Sequence, residues 1–241
     1  MDRRFILRNK DAVSKMPIYE RVLKTMNVPK SGVFILLDDG ENPAYGNPRY
    51  SRAFYMNIRI GGIEEMSPDH VLEIIRKPDC KYFLWISPSV FNGSEFYAAW
   101  VFAHELQHLI QDINYPELAK VGTFLYYAHP AIKSGAQLTQ LDLPAELDAE
   151  IKAKQITISL FGLESYQAFI KKEQILHGDS KIEYHKKLQR LESAYSGYRQ
   201  ETLLLLCGSM DQLIGEQKRL NSKGRNFDFD IAQLCASHRG N

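Results

Sequence analysis

The chain has 241 residues, a formal net charge of +1, and 44% hydrophobic and 24% charged residues, the proportions of an ordinary globular protein. Near-neutral charge, with Lys and Arg scattered along the chain, leaves no electrostatic case for nucleic acid or an anionic membrane surface as a partner. Cys80, Cys207 and Cys235 are odd in number and form no CxxC pair, which argues against a disulfide framework and against a cysteine-rich zinc site. The opening MDRRFILRNKD lacks the apolar region of a secretory signal, and no stretch approaches the roughly eighteen apolar residues of a membrane span. These features predict a soluble cytoplasmic chain with no membrane partner.

In chain order, Pro17 to Met26 reads as a short helix with Ile18, Val22 and Leu23 inward, stopped by Val28-Pro29. Val33 to Leu37 is an apolar, β-branched run between turn residues, hence a buried strand. Glu41 to Arg52 reads as a loop. Ala53 to Ile60 alternates Phe54, Met56, Ile58 and Ile60 against more polar neighbours, a half-exposed strand ended by Gly61-Gly62. Ser67-Pro68 start a helix running to about Lys77. Lys81 to Ser87 is a further strand, closed by Pro88. This last strand is either internal to a sheet or exposes an edge on which an extended peptide could pair through main-chain hydrogen bonds.

Ser94 to Asp112, SEFYAAWVFAHELQHLIQD, is the most informative stretch. Ser94 is an N-cap residue after the turn-like Asn92-Gly93, and no proline or glycine interrupts the run. On a helical wheel Ala99, Phe102, Ala103, Leu106, Leu109, Ile110 and Ile113 form one broad apolar arc. His104 and His108 lie on the opposite side, about 40° apart. They belong to His104-Glu105-Leu106-Gln107-His108, the H-E-x-x-H spacing that sets two imidazoles one turn apart, where both can reach a single metal ion. Glu105, beside the first histidine, is placed to take a proton from a water activated by that ion rather than to bind it. Zn²⁺ is the expected ion.

Two histidines leave a catalytic zinc one protein ligand short. The metzincin extension needs Gly at 111 and His at 114, and the chain has Gln111 and Asn114, so that class is excluded. Residues 113–143, broken by Pro116, Gly122, Pro130 and Gly135, read as the least regular part and a place for substrate-binding loops. Asp142 and Pro144 then suggest a helix start and Gly162 its stop. In this helix Ala145, Ala149 and Ala153 make a small-residue stripe beside Glu146 and Glu150, which permits the close approach that a carboxylate ligand requires. Glu146 is one candidate for the third ligand and His129 the other. Tyr126, Tyr127 and His129 are candidates for a hydrogen-bond donor to a tetrahedral oxyanion, with aromatic packing the alternative for the tyrosines.

Over about residues 82–160 the chain resembles the gluzincin type of zincin metallopeptidase, with H-E-x-x-H on one helix and a ligand glutamate on the next. The resemblance implies that His104, His108 and Glu146 bind zinc, that Glu105 is the general base, and that Glu150 buttresses a zinc-binding histidine. Family members more often carry aspartate at that last position.

Farther on, Glu164 to His177 and Lys181 to about Leu206 are helical by composition. Tyr184, Leu188, Leu191, Tyr195 and Tyr198 form a seam. His177 and His185 read as surface residues, and Phe227, Phe229, Ile231 and Leu234 as anchors for the C-terminal stretch.

The expectation is a single α+β domain of zincin-like fold spanning 1–241. Its N-terminal lobe, 1–113, would carry a small sheet and the H-E-x-x-H helix. A helical C-terminal lobe, 114–241, would follow. The expected function is zinc-dependent hydrolysis of a peptide or protein substrate; the alternative is a catalytically silent binding or regulatory module on the same fold.

Overall fold

The computed structural model describes residues 4–40, 52–58, 69–132 and 140–239, and these form an α+β protein. Four strands, β1 (Phe5–Leu7), β2 (Val33–Leu37), β3 (Ala53–Asn57) and β4 (Tyr82–Ile86), make one sheet in the order β1-β2-β4-β3. The sheet is mixed: β1, β2 and β4 run parallel, and β3 pairs antiparallel with β4. Strand β4 is therefore interior, which removes the free-edge reading of Lys81–Ser87. Its near-continuous burial is what a strand with a neighbour on each side and helices on both faces requires. Among the described residues the edge strands are β1 and β3.

Alternation sorts the side chains onto two faces. Leu36, Met56, Phe83 and Trp85 share a core with Val71, Ile74 and Ile75 of α2 (Asp69–Ile75), and Phe54 stacks on Trp85 at 5.4 Å. The cross-strand row Phe5, Ile35, Leu84 and Tyr55 takes the opposite face. There Phe5 lies 6.2 Å from Tyr19 of α1 (Met16–Thr25) and 6.2 Å from Phe102 of the long helix Glu95–Asn114. Helix α1 buries Ile18, Val22 and Leu23, the inward positions predicted.

After the short α3 (Pro88–Phe91) comes the long helix, α4 (Glu95–Asn114), whose start carries the predicted cap: Ser94 Oγ accepts from the Tyr97 amide at 3.1 Å. Ala99, Phe102, Ala103, Leu106 and Leu109 are fully buried, whereas Ile110 and Ile113, at the rim of the arc, are half-buried.

The chain divides into two compact units, one of residues 1–110 and 151–185, the other of 111–150 and 186–241. Helix α4 passes through both, as does α6 (Pro144–Phe161). The first unit holds the sheet, together with α7 (Leu163–His177) and the first part of α8 (Asp179–Ala194). His185 belongs to its interior, which corrects the surface reading: its ring meets those of Trp100, Tyr166 and Tyr184 edge-on.

The second unit is built of helices: α5 (Ala119–Ile132), the start of α6, α9 (Tyr198–Gly208), α10 (Met210–Ser222) and α11 (Ile231–Arg239). Helix α5 overturns the irregular reading of much of 113–143. Leu118, Val121, Phe124, Leu125 and Ala128 recur at helical spacing and are buried, which outweighs the breakers. Gly122 is there for close approach, since a Cβ on it would stand 3.1 Å from the Tyr198 hydroxyl, and Pro130 falls near the helix end. The expected seam from Tyr184 to Tyr198 is interrupted at Gly197, whose φ of 106° ends helical continuity before α9. Phe227 and Ile231 are buried with Phe229 and Leu234 packed against them, as expected of the C-terminal stretch.

Cys80 and Cys235 are buried. No helix among the described residues is long and apolar enough to cross a membrane. Several sequence expectations lie outside the described residues: the loop 41–51, Ile60, the stop at Gly61-Gly62, the start at Ser67-Pro68, Gly135 and the side chain of His177.

One buried carboxylate ties the sheet to α2. Asp38, following β2, is 1% exposed and accepts from Trp85 Nε1 at 2.8 Å, His70 Nε2 at 3.1 Å and the Asp39 amide at 2.9 Å. Burial alone would raise its pKa, but these donors outweigh burial and hold the carboxyl below its ordinary value. A depressed folded pKa contributes stability above the unfolded value, about 3.9, and that contribution is lost as the pH falls through the folded value. Asp38→Asn should therefore lower stability near neutrality by about 1–3 kcal/mol and flatten the acid limb of the stability profile, as read by urea unfolding between pH 2 and 7.

Candidate metal centre

The arc that buries α4 decides where its polar residues go. With Phe102, Ala103, Leu106 and Leu109 inward, His104, Glu105 and His108 are left half-buried on another side. The Nε2 atoms of His104 and His108 approach to 3.2 Å, and the two rings lie at 79°. Tyr55 of β3 stands beside His108, ring centroids 6.4 Å apart and planes at 24°. Strand alternation produces that contact: Phe54 and Met56 turn toward α2, so Tyr55 takes the other face.

Glu146 lies in the first turn of α6. His104, His108 and Glu146, each half-buried, offer ligand atoms that all lie within 4.8 Å of one another. Among the described residues His129 is not part of such a group. Tetrahedral zinc with bonds of about 2.0–2.1 Å keeps its donors about 3.3–3.4 Å apart. The two imidazole nitrogens already stand near that spacing. Two imidazoles with one carboxylate is a donor set that catalytic zinc uses while keeping a position open.

What holds Glu146 lies in the second unit. Gln111, 3% exposed, donates its side-chain amide to the Ala145 carbonyl at 2.9 Å and to Asp148 Oδ2 at 2.7 Å. The Tyr195 hydroxyl donates to the other oxygen of Asp148 at 2.6 Å. The turn that carries Glu146 is thus pinned on either side of it. Glu150, the expected buttress, is half-buried one turn further on. Asp148, also acidic, braces this turn through its bonds to Gln111 and Tyr195.

The remaining sequence candidates are on α5. Tyr126 is 55% exposed and lines an apolar pocket that Glu146 also lines. Burial, and then the nearby Glu146 carboxylate, push its phenol above the ordinary value, so it stays protonated near neutrality and able to donate. Tyr127 is held by packing: the Arg225 guanidinium sits 4.1 Å above its ring, and the ring packs against the core of the second unit. His129 lies in the last turn of α5, half-buried.

Tyr55, Gln111, Asp148 and Tyr195 were not singled out as site residues in the sequence. Two carried a signal. Tyr55 sits at the odd position of an alternating strand, and Gln111 lies three residues beyond His108 on the same helix. Asp148 and Tyr195 are 47 residues apart, and no local pattern pairs them.

Compared with protein-family models, curated proteins and solved structures, the chain finds no match.

The Asp148 network makes a graded prediction. Tyr195→Phe removes one hydrogen bond to a carboxylate and should cost about 1.5–3 kcal/mol. Asp148→Ala removes the acceptor of both the Tyr195 phenol and one Gln111 N–H and should cost more, about 2–4 kcal/mol. Urea midpoints of the two variants against the parent chain measure the order.

Proposed function

We propose that the chain is a zinc-dependent metallopeptidase of zincin-like architecture, with His104, His108 and Glu146 as the metal ligands and Glu105 as the general base. The observation that carries this reading is the convergence of those three side chains to within 4.8 Å, with Glu105 adjacent to the first. The mixed sheet packed behind the histidine-bearing helix supports the architecture. Glu105 also supports catalysis over a purely structural centre, because a structural metal makes no use of a neighbouring base.

His104, His108 and Glu146 would hold the zinc, which would supply a water of pKa near about 7 and a Lewis acid for a carbonyl oxygen. The protein's own residues do the rest. Glu105 accepts the proton that the attacking water loses and delivers it to the departing amine nitrogen, so one carboxylate serves both halves of the hydrolysis. Tyr126, kept protonated, donates a hydrogen bond to the oxyanion of the tetrahedral intermediate. Tyr55 limits the swing of the His108 ring. Gln111 and Asp148 hold the backbone turn from which Glu146 projects.

The test is metal content and turnover measured together. Purified protein should hold about one zinc per chain and cleave peptides, with chelation abolishing turnover. Glu105→Gln should keep the zinc and lose roughly 10²–10⁴-fold in turnover. Glu146→Ala should lose zinc and His129→Ala retain it; the reverse would reassign the third ligand. Full activity in Glu105→Gln, or no bound zinc after reconstitution, would overturn the reading.

A further inference from the structure

Between Phe96 and Leu109 the half-buried positions of α4 are Tyr97, Val101, His104, Glu105 and His108. Tyr97 precedes His104 by about two helical turns and His108 by about three, so it lies within about 20° of both around the axis. Along the axis it stands about 10 Å from His104. A Cβ on Gly93 would come within 2.7 Å of Tyr97 Cδ1, so the place of this ring depends on glycine at 93. Arg52, immediately before β3, meets the ring. Its Nη1 donates to the Tyr97 hydroxyl at 2.6 Å, and its guanidinium carbon stands 5.4 Å from the ring centroid. The Ser87 amide donates to the Arg52 carbonyl at 3.0 Å, which fixes the arginine backbone to the end of β4. Further along the same strand Tyr55 stands beside His108. Arg52 and Tyr55 thus follow the stripe of α4 that carries Tyr97 and the two histidines, all within the first unit.

We propose that Arg52 and Tyr97 bind a carboxylate of the substrate about three residues from the bond that is cut. The proposal rests on the peptidase reading for where that bond lies. Its anion chemistry rests on the pair alone. A guanidinium carries five N–H donors in a rigid fork that matches a carboxylate, and the bond to Tyr97 uses one of them. Arg52 is exposed, so a ligand reaches the fork from solvent. The Tyr97 oxygen accepts from Arg52, which leaves its own O–H to donate. Burial holds this phenol above its ordinary value, so near neutrality it is protonated. At the phenol the positive charge of Arg52 acts more strongly than the opposing charge of Glu173 on α7. A carboxylate bridging the pair accepts a charge-assisted bond from the guanidinium and a second from the phenol. A lysine or arginine side chain is repelled by Arg52. The separation of about 10 Å from His104 matches about three residues of extended chain at roughly 3.3 Å each. An acidic side chain and a free chain terminus present the same chemistry, and peptides with blocked ends tell them apart.

The experiment has a turnover arm and a binding arm. In the first, zinc-loaded protein digests a peptide mixture and mass spectrometry locates the cuts. Blocked peptides built on one cut site then carry a single Glu or Gln at each position in turn, and a further pair ends beyond the cut in a free carboxylate or its amide. The carboxylate should raise kcat/KM about tenfold or more over its neutral partner, with the gain greatest about three residues from the cut. Whether the Glu series or the free-ended peptide shows the gain identifies the source. Arg52→Gln should bring the ratio near unity, Tyr97→Phe should reduce it, and Arg52→Glu should replace it with a preference for Lys. The second arm measures fluorescence anisotropy of labelled decapeptides, differing in one central Glu or Gln and in a free or amidated end, with metal-free protein. The carboxylate peptide should bind about tenfold tighter, and Arg52→Gln should erase the difference. Melting curves establish which variants are folded, and either Arg52→Gln or Tyr97→Phe suffices. Cuts with no carboxylate preference, a preference confined to the residue next to the cut, or one that survives both substitutions would overturn the anion site and leave the hydrolase reading standing. If nothing is cleaved, the hydrolase reading fails, and metal-free binding decides the anion site: a difference erased by Arg52→Gln upholds it, and equal binding overturns it.

Discussion

The structure depends on how the apolar arc of α4 is buried. Phe102 rests against Tyr19 at 4.6 Å and Phe5 at 6.2 Å, and Ala99, Ala103, Leu106 and Leu109 are sealed from solvent beside it. A buried arc this wide leaves a helix almost no freedom to rotate about its axis, because each turn of the helix would expose aromatic or branched side chains. The direction in which His104, Glu105 and His108 point follows from that constraint. The side they share is thus a product of hydrophobic packing.

The sheet contributes at a second level. A parallel β1-β2-β4 set with β3 added antiparallel places a short strand at one edge, and the pleat turns Tyr55 from that edge toward His108. The other face is closed by α2 and clamped by Asp38, whose buried carboxylate has enough donors to remain ionised. In the second unit, Gln111 and Asp148 do for α6 what the apolar arc does for α4. The means differ: hydrogen bonds to one backbone carbonyl and one carboxylate replace burial of a stripe. The first turn of a helix gains from such bracing, because it lacks the intrahelical bonds that steady later turns.

The breakers along the chain had two distinct physical meanings. Gly197, at a φ of 106°, sits just before α9 in a backbone conformation that other residues disfavour. Gly122 ends nothing: it sits inside α5, where a Cβ would come within 3.1 Å of the Tyr198 hydroxyl. From sequence alone the two are indistinguishable, and treating Gly122 as a breaker hid a helix whose apolar spacing, from Leu118 through Ala128, was regular throughout.

What the amino-acid sequence determined unaided was local and periodic. The extent and cap of α4, its buried arc, the inward face of α1, the strand at Val33–Leu37 and the one-sided pair His104 and His108 all follow from spacings within one or two turns, where chain geometry alone decides which side chains are neighbours. The tertiary structure decided everything that depends on distant residues meeting. It put β4 inside the sheet and β3 at its edge, turned His185 into an aromatic interior and brought Tyr195 to Asp148. Those outcomes depend on strand order and helix packing, which no periodicity encodes, because they are set by competition among many buried surfaces at once.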